Sequence, residues 1–204
     1  TPGFMPFLPD AVNYRYETVP QAGLKGRVGY QPRGRGLGGS SAINAMVYVR
    51  GNRWDYDNWA ALGCTGWAFD DVLPFFRKAE ANERGADEWH GDGGPLFVSE
   101  HTCSNQASRD FIESAAALQL RPNADFNGSR QDGFGLYQVT QRGGERWSAS
   151  RAYVEPMMGS ANFAVKTQAL VEKLVIEDRR VAGVAIRRGR RREVVRARAG
   201  VILS

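Results

Sequence analysis

Gly34-Arg35-Gly36-Leu37-Gly38-Gly39-Ser40-Ser41-Ala42-Ile43-Asn44, running straight into Ala45-Met46-Val47-Tyr48-Val49-Arg50-Gly51, is the stretch that decides the fold. Gly34, Gly36 and Gly39 have the spacing G-x-G-x-x-G, and Asp55 and Asp57 follow about twenty residues on, as in a dinucleotide-binding turn. Such a turn leaves the carboxyl end of a buried strand. Gly29-Tyr30-Gln31-Pro32-Arg33 stands there instead, with a proline and no apolar run. Three readings stay open at this point. One is an NAD(P)-binding Rossmann turn on Gly34, Gly36 and Gly39, and one is a flexible glycine loop. In the third, small residues ahead of a helix let backbone N–H groups approach a pyrophosphate or the edge of a flavin ring. Ser at the start and Gly51 at the end predict a short helix over 42–50.

Upstream, residues 1–33 hold Pro2, Pro6, Pro9, Pro20 and Pro32, which remove backbone donors and make regular structure scarce. Phe4, Phe7, Tyr14 and Tyr16 are candidate anchors of a packed covering loop. Downstream, helices are predicted over 55–62, from Asp70 onward with Pro74 in the first turn, and over 107–119. The second would turn Val72, Leu73, Phe75 and Phe76 to a core, and the third Phe111, Ile112, Ala115, Ala116 and Leu118. Residues 96–98 and 133–140 read as strands and 148–154 as a short helix. The tail reads as strands over 163–167, 169–176, 181–186 and 193–198. Arg187-Arg188-Gly189-Arg190-Arg191-Arg192 lies between the last two, as an exposed hairpin tip or, in a binding module, a phosphate contact.

Composition narrows the classes. The chain has 204 residues with 27 Lys+Arg against 22 Asp+Glu, a net charge of +5, too mild for a nucleic-acid surface. Two cysteines (Cys64, Cys103) and two histidines (His90, His101) are too few for a disulfide framework or a multi-histidine metal site. No apolar run reaches the roughly 18 residues of a membrane span. Gly, at 24 residues, is well above its usual share of about 7%. Thr1-Pro2-Gly3 at one end and the apolar Val201-Ile202-Leu203 at the other predict an internal piece of a longer, cytoplasmic protein, peripheral to a membrane at most. His90-Gly91-Asp92-Gly93-Gly94 looks like an oxyanion-hole loop, yet no G-x-S-x-G elbow accompanies it.

Gly34-Arg35-x-Leu37-Gly38-Gly39-Ser40-Ser41-x-Ile43-Asn44, with Tyr48, Gly51 and Asp57, resembles the first signature of the glucose–methanol–choline (GMC) oxidoreductase family at every fixed position. Gly66-Trp67, Val72-Leu73-Pro74-Phe75-Phe76, His90-Gly91-x-x-Gly94-Pro95-Leu96 and Asp125-Phe126-Asn127-Gly128 follow in the family's order. The resemblance covers essentially the whole chain and looks closest to the choline-dehydrogenase-like, alcohol-oxidising branch. It implies a mixed α/β fold: part of an FAD-binding Rossmann-like domain plus part of an antiparallel-sheet substrate domain. It further implies FAD as cofactor, a small-molecule alcohol as substrate, and oxygen or a quinone as electron acceptor.

Residue by residue, it places Ser40, Asn44, Ala45 and Val47 where members touch FAD, Gly38 and Gly39 where the chain passes against the cofactor, and Val171 beside the adenine. It implies a covering loop over 1–33, a flavin-side part over 34–83, a substrate-domain part over 84–158 and returning strands of the FAD domain over 159–204. The family's catalytic histidine segment has no counterpart here, so no catalytic residue is expected. The 204 residues alone are expected neither to hold FAD tightly nor to turn over. His90 is expected to be a hydrogen-bonded turn anchor and His101 an exposed loop residue.

Overall fold

The computed structural model describes residues 8–101 and 105–204; the expected anchors Phe4 and Phe7, and Cys103, lie outside them. The chain forms two compact units, Thr1–Met157 and Met158–Ser204. In the first, the proline-rich segment is irregular. It carries only the two-residue strands β1 (Tyr16–Glu17) and β2 (Tyr30–Gln31), paired antiparallel, around a 3-10 turn at Ala22–Leu24. Tyr14 and Tyr16 stack at 5.3 Å between ring centroids but stay about half exposed. No buried strand feeds Gly34, so the Rossmann-turn reading fails.

The helix expected over 42–50 does not form. A single 3-10 turn at Gly39–Ala42 is followed by extended chain. The cause is local. The Met46 N–H is taken by Asn44 Oδ1 at 3.0 Å, Met46 itself has φ +64°, and Val47 and Val49 are β-branched. Val47 instead bridges Val139, which bridges Ser99 on its other side.

Helix α1 (Arg53–Ala61) is capped by Asn52, whose side chain accepts from Trp54 N–H, while Asp55 accepts from Asn52 N–H. In α2 (Phe69–Ala79) the first N–H goes to Asp57 Oδ1 at 2.9 Å, so Asp57 fixes where that helix begins. Pro74 lies one turn deeper than expected and Phe75 is 69% exposed; Phe69 is the helix's buried residue. The chain runs from α2 directly into β3 (Glu80–Asn82), parallel to β4 (Leu96–Val98). Helix α3 (Gln106–Ala117), capped by Asn105, buries Ala115 but leaves Phe111 and Leu118 exposed. Residues 133–140 make isolated bridges rather than a strand. After them come the hairpin β5 (Gln141–Arg142) with β6 (Glu145–Arg146) and a π-helical turn over Ser150–Val154.

The second unit is an antiparallel meander of β7 (Leu170–Glu177), β8 (Arg180–Arg188) and β9 (Arg191–Arg196), with no strand over 163–167. Gly189 (φ +58°) makes the tight turn between β8 and β9. Arg187 and Arg192 both pair with Glu172, so the arginine run is a hairpin tip partly neutralised by its own sheet. Among the described residues, fully buried polar side chains outnumber apolar ones. The interior of the first unit is therefore specified by hydrogen bonds as much as by apolar packing. No helix is long and apolar enough to cross a membrane among these residues.

Candidate functional site

The glycine turn is built from both of its ends. Gly34 N–H donates to Ser40 Oγ (3.2 Å), and a Cβ on Gly34 would lie 2.0 Å from the Gly39 carbonyl oxygen. Ser41 Oγ donates to Gly38 O (2.5 Å) and accepts from Ala149 N–H (2.8 Å). Gly38 (φ +83°) backs onto Ser148, whose Cβ and Oγ would lie only 3.3 Å from a Cβ placed there. Gly39 differs: it has φ +52° and nothing within 4 Å of a Cβ placed there. Thus Gly34 and Gly38 close the turn, while Gly39 presents bare backbone to open space.

Beyond the turn, Asn44 Oδ1 receives both Met46 N–H (3.0 Å) and the Arg146 guanidinium (2.8 Å). Two donors on one oxygen fix the amide's orientation and leave its NH2 without a partner among the described residues. The next segment has two unlike edges. Met46 O accepts from Thr140 N–H (2.8 Å) and Tyr48 N–H donates to Gln138 O (2.9 Å). The N–H and C=O of Val47 point the other way, and no partner for them occurs among the described residues. Gly39, Ser40, Asn44, Ala45 and Val47 thus lie along one stretch of chain, whose unpaired groups among the described residues are the Asn44 NH2 and the Val47 N–H and C=O. The Gly39 N–H donates to Gly36 O (3.0 Å), the Asn44 N–H to Ser40 O (2.9 Å), and Ser40 Oγ accepts from Gly34. Val171 lies in the second unit, on β7, 53% exposed beside a bulge before Lys173.

What holds Tyr48–Arg50 in place is a buried cluster that sequence patterning missed. Asn127 acts as a side-chain strand partner: its Nδ2 donates to Tyr48 O (3.1 Å) and its Oδ1 accepts from Arg50 N–H (2.8 Å). Gln131 Nε2 caps Arg50 O (2.8 Å). The Arg50 guanidinium, almost wholly buried, reaches Trp89 O (2.8 Å) and forms an ion pair with Glu80, which is 0% exposed. Arg50 Nε is buried with no hydrogen-bond partner among the described residues, and the guanidinium carbon lies 5.3 Å from the centre of the Phe76 ring. Burial first, then the neighbouring Glu80 charge, pushes the Tyr48 hydroxyl up to about 12, so it stays protonated and can donate to Glu80 at 3.4 Å.

His90, expected as a turn anchor, is one: Asp87 Oδ1 accepts its N–H at 2.7 Å. Its ring does more, lying between Glu80 (2.8 Å) and Asp125 (2.8 Å). The loop 90–94 makes no oxyanion hole. Gly91 and Gly94 are pressed against the Arg77 and Ala79 backbone, and Gly94 N–H already donates to Glu80 O. His101 is exposed, as expected. A separate recess of about 540 Å³ lies between α3 and residues 133–137, walled by Phe111, Ile112, Phe126, Phe134 and Tyr137.

A family model described as GMC oxidoreductase matches residues 17–204. The chain belongs to the GMC oxidoreductase family. Its curated relatives in this GMC family include the oxygen-dependent choline dehydrogenase of Rhizobium johnstonii, 43% identical over 94% of this chain. That of Brucella anthropi is 38% identical over 96%. The chain spans about a third of their length, 35% in both cases. Among solved structures, pyridoxine 4-oxidase from Mesorbium loti superposes with a TM-score of 0.87 at 31% identity, over 96% of this chain and 39% of that one. An FAD-dependent oxidoreductase from Chaetomium thermophilum gives 0.82 at 28%, over 94% and 36%. The mixed α/β fold is thus the GMC one.

Proposed function

We propose that this chain supplies the flavin-side face and part of the substrate domain of an FAD-dependent oxidoreductase acting on the CH–OH group of a small alcohol. The single observation that carries this reading is the open Gly39–Val47 face, where bare glycine backbone, a free Asn44 NH2 and an unpaired Val47 edge come together. A flat ring system rimmed with alternating acceptors and N–H groups suits such a face, and flavin is one. Residues 34–83 then belong with the cofactor, 84–158 mainly with the substrate domain, 159–204 with the FAD domain, and 1–33 cover the cofactor. Gly38 contributes by bringing the turn against Ser148, and Val171 is assigned to the adenine end on the resemblance alone. Bound FAD would accept the hydride from the alcohol carbon, giving an aldehyde or ketone. This chain's own share is to seat and orient the cofactor. The choline dehydrogenase relatives make choline the first alcohol to try, and oxygen or a quinone the acceptor.

Gly39→Ala tests the face. In the flavin-loaded protein, the new methyl group is expected to weaken FAD binding about 10- to 100-fold by overpacking the cofactor surface. The apoprotein should lose only about 1 kcal/mol, the cost of φ +52° for alanine, because nothing in the protein meets the methyl. Flavin titration beside thermal unfolding of the apoprotein separates the two. Unchanged flavin affinity would remove Gly39 from the cofactor face, and no flavin binding by the unsubstituted full-length protein would remove the proposal. Choline-dependent reduction of a dye by the same preparation reads out the alcohol chemistry.

A further inference from the structure

The His90 ring is 1% exposed, with Nδ1 2.8 Å from Glu80 Oε1 and Nε2 2.8 Å from Asp125 Oδ2. Ionised carboxylates only accept, so both contacts are hydrogen bonds only when both ring nitrogens carry protons. Asn82 Nδ2 also lies 3.0 Å from Nδ1, but its two protons go to Glu80 Oε1 (2.6 Å) and Gln138 Oε1 (3.0 Å), which leaves Nδ1 to donate to Glu80. With the imidazolium in place, Arg50 and His90 balance Glu80 and Asp125. Without its proton, the cluster holds one uncompensated negative charge. The other charged neighbours do not alter that balance. Arg77 and Asp87 grip the His90 backbone, at its carbonyl (3.4 Å) and its N–H (2.7 Å). Arg84 and Glu100 pair with each other at 2.5 Å on the Asp125 side. Burial pulls the His90 pKa down, but its hydrogen bonds to Asp125 and Glu80 outweigh that and set it at about 9. The Asp125 carboxyl, which burial would raise, is held low by His90.

We propose that His90 is a positioning residue for the cofactor face, holding Tyr48–Arg50 by two arms that both need its charge. The first arm runs through Glu80 to the Arg50 guanidinium. The second runs through Asp125, whose Oδ1 accepts Asn127 N–H at 2.9 Å, to the Asn127 amide that clamps the backbone of Tyr48 and Arg50. Loss of the proton sets an Nδ1 lone pair against Glu80 Oε1 and breaks the first arm, weakens the second by leaving a neutral Nε2–H on Asp125, and lets the Val47 edge move. The inference rests on the reading of that edge as a flavin seat. Because the pKa is raised to about 9, the ring keeps its proton and the positioning is complete at neutral pH, and it is lost as pH rises through about 9.

The test is FAD release from the full-length flavin-loaded protein, followed by flavin fluorescence from about pH 6 to about pH 10. The unsubstituted protein is expected to hold FAD evenly to about pH 8, then weaken about tenfold or more across about pH 9. His90→Gln, which keeps the size but not the charge, is expected to bind FAD about tenfold more weakly at neutral pH and to show no step near pH 9. Ionisation of flavin itself is common to both proteins and cancels in the comparison. A His90→Gln protein with unchanged affinity and an unchanged step overturns the inference while leaving the flavin reading intact. Failure of both proteins to bind flavin at any pH overturns the flavin reading and the inference together. Should His90→Gln not fold, nitrogen NMR of the His90 ring in the unsubstituted protein decides. Two protonated nitrogens at neutral pH support the inference, and one protonated nitrogen overturns it.

Discussion

Glu80→Gln is expected to remove about 3–5 kcal/mol of folding stability at neutral pH, the largest loss from any single polar substitution in the first unit. Glu80 is 0% exposed, and its two oxygens serve four donors: the Arg50 guanidinium, Tyr48 O–H, Asn82 Nδ2 and His90 Nδ1. A glutamine fits the space but turns one oxygen into an NH2. Whichever way the amide points, a donor then faces a donor, either Arg50 or the His90–Asn82 pair. Removing the charge also leaves Arg50 and His90 buried against Asp125 alone. An uncompensated buried cation is costlier than a lost hydrogen bond, which is worth about 1 kcal/mol. Urea unfolding at about pH 7 measures the difference, and a loss below about 1 kcal/mol would mean that water reaches the cluster.

Gly34→Ala carries the second large effect, and its cause is purely steric. The added Cβ would sit 2.0 Å from Gly39 O and 2.7 Å from Ser40 N, both backbone atoms that cannot swing aside as a side-chain end can. Gly34 is also held from outside, bridging Asn13, while the next N–H, that of Arg35, donates to Val12 O at 2.8 Å. The turn must therefore open at Gly39–Ser40, breaking the Gly34 N–H to Ser40 Oγ bond and displacing the open backbone of Gly39. Overpacking of this kind costs about 1–3 kcal/mol or more, so FAD affinity is expected to fall about 100-fold, with stability falling alongside. Gly39→Ala costs only the roughly 1 kcal/mol of its backbone conformation and acts mainly on cofactor binding. The pair of variants therefore distinguishes a residue that makes the turn from one that presents it. Equal behaviour of the two would undo that division.

Local signals in the sequence carried the regular elements well. Asn52 and Asp55 start α1, Asp71 and Asp57 fix the start of α2, and alternation with a glycine turn marks β8 and β9. They misled where side chains competed with the backbone. Ser40–Ser41 and Gly51 read as helix ends, yet Asn44 took the Met46 N–H and turned the chain extended. Periodicity likewise pointed Phe75, Phe111 and Leu118 inward, and all three are exposed. Glycine spacing alone allowed a Rossmann turn; the proline and missing apolar run before Gly34 told against it, and the family signature supplied the cofactor-loop reading. The His90 cluster had no pattern to betray it. Its members come from Arg50, Glu80, His90, Asp125 and Asn127, brought together across 10 to 77 residues of chain mostly by loops, and no period of 2 or 3.6 marks such partners. Two signals were nonetheless present: a histidine among glycines whose loop must close tightly on α2, and an Asp-x-Asn turn whose side chains are set to accept backbone N–H groups.

Asn127 bears on how the protein should be made. Asn127-Gly128-Ser129 is an acceptor sequence for N-linked glycan, and the acceptor atom is the same Nδ2 that holds Tyr48 O. In the folded chain that nitrogen is sealed, the residue being 5% exposed, so a transferase could reach it only before folding. A sugar added then would occupy the place of a backbone carbonyl, and the polypeptide would be tagged at a seam it has yet to close. Production routed through a eukaryotic secretory pathway therefore sets glycan transfer in competition with folding, a contest that a bacterial cytoplasmic host does not impose.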